Sequence, residues 1–237
     1  IIMYSALSIF IIILLTGVFF YFTCSSAMDI QVFDSGRPGK NILLLGGTHG
    51  NEPAGRYVLL ILQKLLNRGI HKLKSGKITI IHNVNPCGYY FNNRYYNSIV
   101  GNIDINRLYG KNFPINNKIE KLVKLNDIIL DFHEGWGYIR QNNKSVGSSI
   151  TCSKIPIKYQ NDIIKKINSS ITEDYKLWSI NTQKTEIKHS LRDYAIDNKK
   201  AYMLIETSGQ NNIQPLDIRV SQNITIITYI LKKYRIL

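Results

Sequence analysis

The sequence predicts an α/β domain on a mixed or mainly parallel β-sheet flanked by helices, and three observations carry that prediction. Apolar runs of strand length recur along the chain, helical patterns lie between them, and the conspicuous polar residues follow the runs. Composition agrees: 44% hydrophobic and 19% charged residues describe an ordered globular chain of 237 residues.

The elements follow in order. The first charged residue is Asp29, and Ser5 to Phe22 is almost continuously apolar. About 20 such residues cross a bilayer core as a helix. Residues 1–28 are therefore expected to form a transmembrane helix acting as a single-pass anchor. The alternatives are a signal segment, with Ser25 and Ala27 as small cleavage-site residues and the product secreted, and a buried helix. No basic residue precedes the run, which weakens the signal reading. Residues 29–237 are read as the globular domain. Asn41–Leu45 is a buried strand ending at Gly46-Gly47, and Pro53–Asn67 is a helix with proline in its first turn and Gly69 beyond its end. Lys77–Val84 is a β-branched strand, and Ile119–Leu125 is helical. Asp127–Phe132 is a buried strand, Ile157–Ile167 and Leu191–Asn198 are helices, Ala201–Ile205 is a strand, and Pro215–Lys233 is a long closing helix.

The net charge of +14 raises nucleic-acid binding as a function class. The lysines are scattered, and no stretch joins clustered Lys/Arg to interleaved aromatics, so no nucleic-acid partner is expected. The joint excess of Lys, Ile, Asn and Tyr fits the codon bias of an AT-rich genome. A basic surface favours anionic substrates and anionic membranes. Of the three cysteines, Cys87 and Cys152 could pair, and their spacing fits no cysteine zinc site.

Four segments carry chemistry. Gly46-Gly47-Thr48-His49-Gly50-Asn51-Glu52-Pro53 joins a strand to a helix, and its His-x-x-Glu can project two metal ligands to one side. His133 follows the apolar strand Asp127–Phe132. Alone it reads as a structural histidine; with His49 and Glu52 it completes a two-His, one-carboxylate set. Catalytic zinc uses such a set and keeps a fourth position open. Asn85-Pro86-Cys87-Gly88-Tyr89, Arg94 and Ile103-Asp104-Ile105-Asn106-Arg107 supply donors that suit a substrate carboxylate. Glu206 ends the strand Ala201–Ile205, where a carboxylate needs a partner and, near a metal-activated water, serves as a general base.

In order and residue type these segments resemble the metallocarboxypeptidase superfamily, and within it the succinylglutamate desuccinylase/aspartoacylase family. GGTHGNEPAG resembles the latter especially; NPCGYYFNNR followed by IDINR resembles the former as closely. The likeness runs from about Asn41 to Glu206. It implies a zinc carboxypeptidase-like mixed sheet and one zinc ion on His49, Glu52 and His133. Asp104 would orient the first zinc histidine, Arg94 would polarise the scissile carbonyl, Asn106 and Arg107 would bind the substrate carboxylate, and Glu206 would be the catalytic glutamate. The activity implied is hydrolysis of an amide bond next to a carboxylate, of deacylase type, on an anionic acyl-amino acid or peptide. The alternatives are a carboxypeptidase acting on peptides and an inactive membrane-tethered binding protein; the second should have lost a ligand or the base, and none is missing. The resemblance also implies an active-site tyrosine, for which Tyr175, Tyr194 and Tyr202 are available. About 30 residues follow Glu206. The C-terminal β-rich domain that narrows the aspartoacylase site is therefore expected to be absent, leaving a more open cleft.

Overall fold

A computed structural model describes residues 7–16, 28–98, 101–153, 158–182 and 187–237. Seven strands form one sheet in the order β1-β3-β2-β6-β9-β7-β8. They are β1 (Gln31–Asp34), β2 (Asn41–Gly46), β3 (Lys77–Ile81), β6 (Ile128–Gly135), β7 (Ser149–Cys152), β8 (Ser179–Ile180) and β9 (Ala201–Ser208). The centre is parallel, with β2 between β3 and β6 and with β9 beside β6; β1 and β7 pair antiparallel to β3 and β9. The sheet is therefore mixed. A separate hairpin joins β4 (Tyr96–Ser98) to β5 (Gly101–Ile103).

Alternation along the strands decides which layer each side chain joins. Ile42, Leu44, Ile128, Leu130 and Phe132 face one core, with Val58, Leu59 and Leu62 of α2 (Pro53–Asn67), Ile163 of α5 (Gln160–Asn168) and Ile226, Ile227 and Ile230 of α7 (Leu216–Lys233). Leu43, Leu45, Ile129 and Tyr202 face the other, with Ile115 and Ile119 of α4 (Pro114–Leu125) and Leu191 and Ala195 of α6 (Leu191–Asp197). Each fully buried Val, Leu, Ile or Phe among them contributes roughly 1.5–3 kcal/mol. The same parity sends Asp131, His133 and Glu206 to the second face and Glu134 to the first.

Several boundaries differ from the sequence reading. β6 and β9 run on through His133 and Glu206, each ending later than predicted, while β3 stops at Ile81. The predicted start of the helix at Ile157 lies outside the described residues; α5 starts at Gln160. The short strands β1, β7 and β8 and the turn of helix α3 (Pro86–Tyr90) went unread. The possible Cys87–Cys152 pair is not formed.

The N-terminal apolar run is described only over residues 7–16, which are helical (α1) and exposed from Leu7 to Leu15. The remainder of Ser5 to Phe22 lies outside the described residues. Among the described residues, no helix is long and apolar enough to cross a membrane.

Candidate metal centre

β2 ends at Gly46, and the chain turns through Gly47, whose φ of +67° is a left-handed value that glycine adopts without strain. The turn brings the following loop against α3. A Cβ on Gly50 would overlap the backbone of Gly88 and Tyr89, so the contact is possible only for glycine. The loop thereby sets His49 beside the N-cap of α2, which is Glu52. β6, next to β2 in the sheet, delivers His133 from the other side.

His49, Glu52 and His133 converge, each almost completely buried. Their candidate ligand atoms all lie within 4.8 Å of one another. Nδ1 of His49 is 2.8 Å from Glu52 Oε1, Nδ1 of His133 is 2.8 Å from Glu52 Oε2, and the two Nδ1 atoms are 3.1 Å apart. Both imidazoles thus turn Nδ1 inward. Each Nε2 points outward to a carboxylate: His49 Nε2 to Asp104 Oδ1 at 3.3 Å, and His133 Nε2 to Asp131 Oδ2 at 3.2 Å. The hydrogen bond to Asp104 fixes the His49 tautomer that leaves its inner nitrogen free to bind a cation, and Asp131 places negative charge beside the outer nitrogen of His133. The donor set, two imidazole nitrogens and a carboxylate, fits zinc.

The electrostatics agree with a site made for a cation. Burial works to raise the Glu52 pKa, but the two adjacent histidines win and hold its carboxyl well below the usual range. Asp104 is likewise held low against its burial, by His49 first and then Arg94 and Arg107. His133 rises well above the usual histidine range despite burial, because Asp131 and Glu52 flank it. Glu206, opposite His133 in the β6–β9 register, is pushed up to about 8, mainly by burial, with Glu52 and Asp131 adding and His133 and Arg94 opposing.

The other predicted residues are distributed as follows. Arg94 bridges two carboxylates, Nη1 to Glu52 Oε1 and Nη2 to Asp104 Oδ2, both at 3.2 Å. Asn106 accepts the backbone N–H of Leu191 on Oδ1 at 2.9 Å, which leaves its amide nitrogen as the donor end. Arg107 is exposed and donates Nη1 to the carbonyl of Asn106 at 2.7 Å. Of the three tyrosines, Tyr202 is buried and its hydroxyl donates to Asp131 at 2.8 Å; Tyr194 packs near Tyr109 and Tyr175 against Tyr138.

Sequence reasoning missed Asp131, which stands two residues before His133 on a strand and so shares its face; that spacing was a usable signal. It also missed Glu134 and Arg219, a buried ion pair reaching from β6 to α7. No sequence feature connects residues 85 positions apart.

Residues 38–139 match the succinylglutamate desuccinylase/aspartoacylase catalytic domain. The matched stretch of that catalytic domain contains His49, Glu52, Arg94, Asp104, Asn106, Arg107 and His133, and ends before Glu206. No curated protein matches the chain in sequence. Among solved structures, the chain is similar to the cell shape determinant protein Csd4 of Helicobacter pylori. It is 22% identical over 89% of this chain and 56% of that one, with a TM-score of 0.72. It is also similar to a succinylglutamate desuccinylase from Silicibacter sp. TM1040, 15% identical over 89% of this chain and 61% of the other, with a TM-score of 0.55. At these identities the structural likeness establishes the fold. The chain spans less than two thirds of the length of either protein. The matched family and these neighbours, one form of Csd4 being described as a D,L-carboxypeptidase, are hydrolases.

Proposed function

We propose that this chain is a zinc-dependent hydrolase cleaving an amide bond next to a carboxylate. The observation that carries the proposal is the inward convergence of two Nδ1 atoms and one carboxylate, with an outer carboxylate on each Nε2. A bound zinc ion supplies Lewis acidity, polarising a carbonyl and lowering the pKa of a water.

The protein's own groups do the rest. Asp104 keeps His49 in the ligating tautomer, and Asp131 places negative charge beside Nε2 of His133. Glu206 accepts a proton from the attacking water and returns it to the leaving amine. To act as base it must be ionised, which a nearby cation favours. Arg94 moves from its contacts with Glu52 and Asp104 to stabilise negative charge developing on the carbonyl oxygen. The amide nitrogen of Asn106 and the guanidinium of Arg107 hold the substrate carboxylate. Within this class the family match favours an acyl-amino acid substrate. A peptide substrate is the second reading. It is favoured by the higher TM-score to Csd4, whose structures are described as tripeptide-bound and mDAP-bound.

Zinc content tests the centre. The full chain is expected to bind about one zinc, and His49→Ala and His133→Ala are each expected to lose most of it, read by metal analysis after dialysis. Full occupancy in the double variant would refute the assignment.

We also propose that the apolar N-terminal run anchors the chain in a membrane. The run of exposed aliphatic side chains over residues 7–16 supports this. The intact chain should sediment with membranes and resist a high-salt wash; recovery in the supernatant with the segment attached would rule the anchor out.

A further inference from the structure

Glu52 faces two demands. It is the N-cap of α2, a position whose side chain ordinarily accepts a hydrogen bond from a first-turn N–H. Its carboxylate turns instead to His49 and His133 and makes no capping bond to its own helix. The missing acceptor arrives from another element. Pro53 has no N–H, and Ala54, the next residue, donates to Glu134 Oε1 at 2.6 Å. The backbone N–H of Glu134 donates to Glu52 Oε2 at 3.1 Å. One residue thus holds both the carboxylate of a candidate ligand and the helical turn that carries it. The same residue follows His133 directly, so it fixes the third ligand through the backbone as well.

A carboxylate this deeply buried needs a cation, and Arg219 near the start of α7 provides it. Arg219 is itself held by Asn212, through Nη2 at 3.3 Å. Glu134 is held a fourth time by Gln210, whose amide donates to its carbonyl at 2.9 Å. Gly209 leaves room for the pair: a Cβ there would overlap both the Glu134 carboxylate and the Arg219 guanidinium.

We propose that Glu134 and Arg219 are positioning residues for the metal centre. Glu134, held by Arg219, caps α2 in place of Glu52, so that Glu52 is free to serve as a ligand, and the pair sets its spacing from His133. The inference rests on reading the site as a metal centre, and it assigns a role to residues outside the ligand set and its outer carboxylates.

The test is the zinc dissociation constant of the full chain in detergent, read by chelator competition. Circular dichroism on the same samples shows which variants are folded. Glu134→Gln and Arg219→Met are expected to weaken zinc binding about 10–100-fold while keeping the parent's helix content. Arg219→Lys, which restores the charge without the guanidinium fork, is expected to recover part of the loss. A purely structural pair would lower the melting temperature and leave zinc affinity in the folded chain unchanged; that result would overturn the proposal. If Glu134→Gln does not fold, the two Arg219 variants decide. If none of the three folds, the pair belongs to the fold and the positioning role is wrong. A parent chain that binds no zinc would remove the metal reading and the clamp with it. Failure to find a substrate would leave the zinc measurement intact.

Discussion

Glu206 combines two requirements that pull against each other. In the proposed role of base it must ionise, yet burial favours its neutral form and holds its pKa at about 8. Between the ordinary glutamate value and about 8, the folded metal-free chain keeps a proton that the unfolded chain has released. Stability from this group is therefore lost as pH rises through that window. Glu206→Gln removes the titration and keeps the shape. In EDTA, the variant is expected to match the parent near pH 5 and to exceed it near pH 8 in urea unfolding; parallel stability curves would show that Glu206 is not buried as described. Residue identity was largely legible at this scale, because His49, Glu52, His133 and Glu206 occur in polar clusters at strand ends. Asp131 was hidden inside an apolar run, and Arg219 could be connected to Glu134 only by tertiary structure.

The elements were legible where periodicity was strong and blurred where polar residues continue a strand. The sequence reading ended β6 at Phe132, where the apolar run stops. In the fold the strand goes on to Gly135, since His133 meets Glu52 and Asp131 while Glu134 meets Ala54 and Arg219. β9 extends to Ser208 for a similar reason: the buried Ser208 hydroxyl pairs with that of Ser148 at 2.8 Å. The short strands β1, β7 and β8 have two to four residues each and too few apolar positions to show a period. The contact of the β2–α2 loop with α3 is a further element-level constraint. Gly50→Ala places a methyl group into the backbone of Gly88 and Tyr89, which must separate. Overpacking of this kind costs about 1–3 kcal/mol. The expected result is a fall of that size in unfolding free energy together with weaker zinc binding, because His49 is the neighbouring residue. Unchanged values for both would mean that the loop yields freely.

On the scale of the whole molecule, the parallel centre of the sheet explains where the chemistry collects. β2, β6 and β9 point their C-terminal ends the same way, and ligands of α/β sheets gather at such ends. The ordered motifs were readable as a resemblance, and the family match covers His49, Glu52 and His133 but not Glu206. What ties Glu206 to them is the register that sets it opposite His133, a relation between strands that no local motif encodes. Hydrolysis by that assembly is the proposed activity. Its most direct test is turnover of N-acyl amino acids and short peptides by the zinc-loaded chain, measured beside Glu206→Gln with zinc content determined on the same samples. The expected result is turnover by the parent and a loss of about two orders of magnitude or more in the variant at equal zinc content. Equal turnover by both, or loss of zinc along with activity in Glu206→Gln, would contradict it.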